Sequence, residues 1–272
     1  MTNSIKAGDI KIIFSDLDGT LLDSRKKVSK ENIEAVKEVR EKGIIFMAAT
    51  ARPERAVEEY CSEVGFDGVI SLNGARVRYK DRNIFNGMSY ETASKIITAL
   101  CENDDKVVAL ETSTGIYSNT IIEDWFVDCV TDLSEVIKSC AVFKILVFGK
   151  NNRLEKKTKD EKKLLVLPEI EKEIKEILDD KTYYTVSENW LCQIMAVNDT
   201  KWNGVREVLE TLEIPVENAM YFGDDNDDVT CIKNIGYGIA MGNAIPKVKE
   251  VADIVIESND ENGIANFLRS LL

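Results

Sequence analysis

Short apolar runs alternate with longer segments whose apolar positions recur every three or four residues, as expected for buried strands joined by amphipathic helices. Ile10-Lys11-Ile12-Ile13-Phe14 reads as a buried strand. Ser29 to Lys42 reads as a helix with Ile33, Val36 and Val39 on one side, closed by Gly43. Ile44 to Ala49 gives a second strand, Pro53 to Val64 a second helix, and Val69-Ile70-Ser71-Leu72 a third strand before Asn73-Gly74. Strand–helix–strand units of this length predict right-handed crossovers and a parallel sheet. The same alternation returns late in the chain. Gly204 to Leu212 is helical, and Ala219 to Phe222, Ile239 to Met241 and Ile254 to Ile256 are strands. From Asn86 to Cys192 the pattern differs. Helices alternate with strands carrying polar faces (Val107 to Glu111, Ile116 to Ser118, Phe143 to Phe148, Tyr183 to Val186), which predicts a half-solvated antiparallel sheet. The expected fold class is therefore α/β. A doubly wound, Rossmann-like parallel-sheet core (1–85 and 193–272) is interrupted by an inserted α+β domain (86–192) built on an antiparallel sheet.

Composition narrows the chemistry. The 272 residues are 44% hydrophobic and 31% charged, enough for two packed domains, and no internal repeat is visible. Six scattered cysteines form no Cys-x-x-Cys pair and read as buried thiols in a reducing cytoplasm. Residues 1–6 show no apolar signal segment, and no run is long enough for a membrane helix. A net charge of −13 argues against nucleic acid or an anionic membrane as partner. The absence of histidine excludes Ser-His-Asp, Cys-His and histidine–zinc chemistry. The Lys-rich run at 155–163 is mixed in sign and reads as a solvated helix face.

Candidate chemistry lies where strands end. Asp16 and Asp18 follow the first strand, at the edge where open α/β sheets bind ligands. In an extended chain their side chains share a side, and two carboxylates ~4 Å apart repel by ~1–4 kcal/mol. A bound cation would relieve that repulsion. Thr50 and Arg52, in Ala49-Thr50-Ala51-Arg52, place a hydroxyl and a guanidinium at the tip of the second strand, with a helix cap as the plainer alternative. Lys201, in Asn198-Asp199-Thr200-Lys201, opens a helix, where a lone lysine is ordinarily solvated. Gly223-Asp224-Asp225-Asn226-Asp227-Asp228 reads either as a hard-cation site or as an acidic turn. An EF-hand is excluded, because Val229 and Ile235 stand where glycine and glutamate are needed.

These four elements, in this order, resemble the motifs of the haloacid dehalogenase-like phosphohydrolases. Ser71-Leu72-Asn73-Gly74-Ala75, Ala240-Met241-Gly242-Asn243-Ala244 and the large insertion resemble the Cof-type branch. The resemblance implies an aspartyl-phosphate mechanism with Asp16 as nucleophile and Asp18 as general acid and base, aided by Thr50 and Lys201. It implies Mg2+ held by the Asp16 carboxylate, the Asp18 backbone carbonyl and Asp224, with Asp228 directly or through water. It also implies phosphate contacts from Leu17, Gly19, Thr50, Ala51, Arg52, Asn73, Lys201 and Asp227, and a lid formed by the inserted domain. The implied substrate is a small phosphorylated metabolite, foremost a sugar phosphate, and the implied state a cytoplasmic monomer or homodimer. Three positions depart from the branch: Ala51 for glycine, Trp202 for the glycine after the lysine, and Asp227 for asparagine. Tyr117, Trp125, Lys144 and Trp190 are candidate lid contacts, with packing the plainer role for each. A phosphosugar mutase and a catalytically idle homologue are the competing readings.

Overall fold

The computed structural model describes residues 7–103, 105–122, 127–149, 168–187 and 190–271. The Lys-rich run and Trp125 lie outside the described residues. The chain divides into two compact units, one comprising 1–84 and 200–272 and the other 85–199.

In the first unit the strands are β1 (Ile12–Ser15), β2 (Ile45–Ala49), β3 (Gly68–Ser71), β4 (Arg76–Tyr79) and β5 (Arg82–Phe85), whose last residue enters the second unit. In the second unit they are β6 (Lys106–Thr112), β7 (Ile116–Ser118), β8 (Cys129–Val130), β9 (Val142–Gly149), β10 (Thr182–Ser187) and β11 (Leu191–Ala196). The first unit then resumes with β12 (Ala219–Gly223), β13 (Tyr237–Ala240) and β14 (Ile254–Val255). Its helices are α1 (Lys30–Glu41) and α2 (Glu58–Val64), then α6 (Lys201–Thr211), α7 (Val229–Asn234), α8 (Pro246–Lys249) and α9 (Gly263–Leu271); the second unit carries α3 (Tyr90–Leu100), α4 (Leu133–Val136) and α5 (Pro168–Ile177).

The first sheet runs β14-β13-β12-β1-β2-β3-β4-β5. The pairings from β14 to β3 are all parallel, and β4 turns back antiparallel to β3. β1 lies at its centre, buried along its length and paired to β12 and β2. Strands buried on both faces need continuous apolar runs, which explains why the Ile12, Ile13 and Phe14 run could be read from sequence. Ser29 caps α1 by accepting from the Asn32 N–H, while Val36 and Val39 enter the core. The single helix expected over Pro53 to Val64 splits into a 3-10 turn (Glu54–Ala56) and α2.

The second sheet runs β10-β11-β9-β6-β7-β8, antiparallel except for the β7–β8 pair. β11 crosses position 192, where the sequence pattern returned the chain to the core. Its pairing with β10 and β9 keeps residues up to Asp199 in the second unit. The half-solvated pattern expected for β6 and β9 does not occur, because both strands are buried throughout. One face packs against α3 and α5 through Val108, Leu110, Ile145 and Val147; the other packs a smaller cluster of Val107, Ala109, Leu146 and Phe148. Lys106 is accommodated there by pairing. The Lys106 ammonium meets Asp105 and Glu173 at 2.8 and 3.1 Å, and Glu111 stands in register with Lys144.

Candidate active site

The carboxyl edge of the first sheet gathers the acidic residues. Asp16 follows β1, and its N–H donates to the Phe222 carbonyl of β12 at 2.9 Å, fixing its carboxylate beside the β12 loop. At Gly19 the chain takes φ +78°, and a Cβ there would overlap the Asp224 carboxylate, so glycine lets the two loops close on each other. Thr20 donates its hydroxyl to Asp224 at 2.7 Å. Asn243 Nδ2 donates to the Gly19 carbonyl at 2.7 Å, so the Ala240 to Ala244 stretch braces the Asp16 loop.

Lys201, at the start of α6, turns inward. Its ammonium is 2.8 Å from Asp16 Oδ1 and 2.8 Å from Asp228 Oδ1, with its side chain only 4% exposed. Asp228 is fully buried and saturated with donors. Oδ1 also accepts from the Tyr221 hydroxyl at 2.7 Å, and Oδ2 accepts from the Asp224 and Asp225 N–H groups at 2.9 and 3.1 Å. Carboxylate oxygens of Asp16, Asp224 and Asp228 lie within 4.8 Å of one another. Three carboxylates and one ammonium leave −2 in a mostly buried space, which a divalent cation would cancel. The proton affinities report the same imbalance. Burial pushes Asp16 up to about 8 against the pull of Lys201, and burial pushes Asp224 up to about 6. Despite its burial, Lys201 is held above its ordinary value by Asp16 and Asp228. An all-oxygen donor set of this kind suits hard cations.

Asp18 has a different environment. Arg52 donates to both its oxygens, from Nε at 2.6 Å and from Nη2 at 2.7 Å, and Lys26 Nζ adds a bond at 2.6 Å. The Arg52 bonds, chiefly, hold the Asp18 carboxyl down at about 2. Its carboxylate is thus spent on cations, which leaves the backbone carbonyl for the metal role implied by the resemblance.

The other expected residues are placed as follows. Thr50 is buried at the end of β2, its hydroxyl accepting from the Arg52 N–H at 3.1 Å. Leu17 is fully buried, so any ligand contact falls to its backbone, and the Ala51 methyl is exposed. Asn73 adopts φ +55°, donates from Nδ2 to Asp227 at 3.2 Å, and keeps a buried Oδ1 with no hydrogen-bond partner. Trp202 lies on the outer side of α6, lining a surface groove with Arg206, Leu209 and Val216. In the second unit Trp190 packs edge-on against Phe148, and the Tyr117 hydroxyl bonds Thr114. The sequence reading gave no role to Tyr221, Lys26 or Tyr60, which are isolated polar or aromatic residues with no motif signal. Thr20 and Asn243 stood inside recognised motifs without an assigned partner.

A doubly wound α/β unit with a lysine-bridged carboxylate cluster at its carboxyl edge defines a class of hydrolase site. The family model described as haloacid dehalogenase-like hydrolase matches residues 13–268, and the chain belongs to this family. It is 26% identical to the Bacillus subtilis protein YkrA, which carries a phosphatase name, over 97% of this chain and 98% of that one. It is 28% identical to the B. subtilis 5-amino-6-(5-phospho-D-ribitylamino)uracil phosphatase YcsE, over 96% of this chain and 95% of that one. The solved structure of BT1666 from Bacteroides thetaiotaomicron, described among phosphatases of the haloalkanoate enzyme superfamily, superposes with a TM-score of 0.76 at 26% identity, covering 96% of this chain and 95% of that one. Among the described residues no helix is long and apolar enough to cross a membrane.

Proposed function

We propose that the protein is a Mg2+-dependent phosphatase of small phosphorylated metabolites, sugar phosphates foremost, working through an aspartyl-phosphate. The observation that carries the reading is the charge imbalance of the Asp16, Asp224 and Asp228 cluster around a single ammonium. Asp16 and Asp224, with the Asp18 carbonyl, would hold the ion, and Asp228 would reach it directly or through water. Once bound, the ion supplies the charge that keeps Asp16 and Asp224 ionised near neutral pH and offsets the anionic phosphoryl group.

The chain's own residues carry the steps. The Asp16 carboxylate attacks phosphorus in line, forming a carboxyl–phosphate bond as the ester P–O bond breaks. Lys201 and Thr50 hold phosphoryl oxygens, where the transition-state charge lies. Asp18 gives a proton to the departing oxygen, then takes one from the water that cleaves the intermediate and frees phosphate. Asp18 is ionised while gripped by Arg52 and Lys26, so the donating half requires that grip to loosen. An arriving phosphate dianion competes with Asp18 for both cations. Residues 86–192, inserted between the Thr50 and Lys201 elements, are assigned the lid role and the choice of substrate. The sugar-phosphate assignment draws on YcsE, whose substrate carries a phosphorylated ribityl group. The six thiols are unpaired, and although Cys101 and Cys129 are exposed rather than buried as expected, they support a reducing, cytoplasmic setting.

The test is phosphate release from a panel of phosphomonoesters, with Mg2+ and with chelator, for the wild type and Asp16→Asn. Turnover should need the ion and fall by about 10^3 or more in the variant. Undiminished turnover in Asp16→Asn would overturn the nucleophile assignment.

A further inference from the structure

Two cations grip Asp18, yet neither is fixed by the sheet. Arg52 stands in the loop after β2, and Lys26 sits at the tip of a surface loop with φ +62°. Exposed lysines carry about 2 kcal/mol of rotamer freedom, and exposed ion pairs seldom fix a geometry. Something else must hold the pair.

Tyr60, half-buried on α2, touches both. The Arg52 guanidinium lies over its ring, 5.3 Å from the centroid, with Nη1 3.5 Å from the hydroxyl. The same hydroxyl donates to the Lys26 carbonyl at 3.1 Å. Asp23 closes the rest of that loop, its Oδ1 accepting from the Arg25 and Lys27 N–H groups at 2.9 Å each. Tyr60, Lys26, Asp18 and Arg52 thus form a closed ring of contacts. Within the ring, Asp18 is the group proposed to move a proton.

We propose that Tyr60 is a positioning residue for Asp18, acting through Arg52 and Lys26, and that Lys26 is a functional cation of the site. The inference rests on the reading of Asp18 as the group that moves the proton. A displaced Asp18 harms reactions whose leaving oxygen needs that proton, and spares those whose leaving group departs readily as an anion.

The experiment compares kcat/KM on 4-nitrophenyl phosphate and on an alkyl phosphomonoester, for the wild type, Tyr60→Phe, Tyr60→Leu, Lys26→Met and Asp18→Asn. Tyr60→Leu should lose about tenfold more on the alkyl ester than on the aryl ester, with Tyr60→Phe, which keeps the ring over Arg52, between it and the wild type. Equal loss on both esters, or no loss, would reduce Tyr60 to a packing residue and overturn the proposal. If Tyr60→Leu fails to fold, Tyr60→Phe and Lys26→Met in a double-mutant cycle decide. The change in alkyl-to-aryl ratio should be non-additive, and additive changes count against the ring. Asp18→Asn separates the two levels. If it shows no preference between the esters, the acid–base reading fails; if it prefers the aryl ester and the Tyr60 variants do not, only the present inference fails.

Discussion

The Arg52 guanidinium meets the Asp18 carboxylate edge-on, with Nε 2.6 Å from one oxygen and Nη2 2.7 Å from the other. A lysine carries the same charge but cannot make this two-point contact, so Arg52→Lys tests the geometry rather than the charge. Asp18 is held at about 2 mainly by these bonds, and weakening them lets it rise toward 3.8. The limb of the kcat/KM profile that falls as Asp18 loses the proton its leaving oxygen needs should therefore move to higher pH in Arg52→Lys. Catalytic efficiency should also fall, by about ten- to a hundredfold. A pH–rate profile between pH 3 and 7 reads both effects, and an unmoved descending limb would count against the contact.

Asp228 is the donor-saturated hub of the cluster. Asp228→Ala leaves Lys201 with one counter-charge and strands the Tyr221 hydroxyl and two backbone N–H groups. Removing one partner of a buried ion pair costs about 3–5 kcal/mol, so urea denaturation should show a loss of that order. Tyr221→Phe keeps the ring and drops one bond to a charged acceptor, and should cost about 1.5–3 kcal/mol. A loss in Asp228→Ala no larger than in Tyr221→Phe would mean that the ion pair contributes little.

With a divalent ion bound at this cluster as proposed, stability should depend jointly on pH and on that ion. Without the ion, the folded protein holds protons on Asp16 up to about 8 and on Asp224 up to about 6, against an ordinary 3.8. The folded state then binds more protons than the unfolded state between pH ~4 and ~8, so stability falls as pH rises through that window. A divalent ion must displace those protons, and its stabilisation grows as they leave. Thermal unfolding at pH 5 and pH 8, with Mg2+ and with chelator, should show the larger gain in midpoint at pH 8. Equal gains would mean that the ion does not bind at these carboxylates.

How much of this was readable in advance depends on the range of the forces involved. The β1, β2, β3 and β12 runs stood out because strands buried on both faces leave little room for polar residues. β4 and β5 did not, because Arg76, Arg78 and Arg82 interrupt any apolar period. Arg76 and Arg78 are instead accommodated by a distant acid, Glu54. The polar residues of β6 and β9 misled for the same reason. Glu173, which neutralises Lys106, lies far along the chain, and so does Lys144, which stands opposite Glu111. At the site, Asp16, Asp18, Asp224 and Asp228 were legible as clustered acids at strand ends. That Lys201 is a buried bridge rather than a solvated helix start depends on Asp16 and Asp228, which only the fold brings to it. Tyr60 and Lys26 had no local signal at all.

Asp199 gives a last prediction. The chain enters the second unit at Phe85 and leaves it after Asp199, and the bond from the Gly87 N–H to Asp199 Oδ1, at 3.1 Å, ties these two ends together. The other carboxylate oxygen is buried with no hydrogen-bond partner, and burial pushes Asp199 up to about 7. An acid raised in the folded state weakens folding as it ionises, so its penalty is absent below pH ~4 and complete above pH ~7. Asp199→Asn keeps the acceptor for Gly87 and cannot ionise. Any cost of placing its amide NH2 is independent of pH and shifts the whole curve, whereas the loss of ionisation changes its slope. The stability of the variant relative to the wild type should therefore rise between pH 4 and 8, by on the order of 2 kcal/mol at about 1.4 kcal/mol per pKa unit discounted for relaxation around the charge. Parallel stability curves for the two proteins across that range would show that Asp199 is ionised throughout and that its buried oxygen is better solvated than the geometry implies.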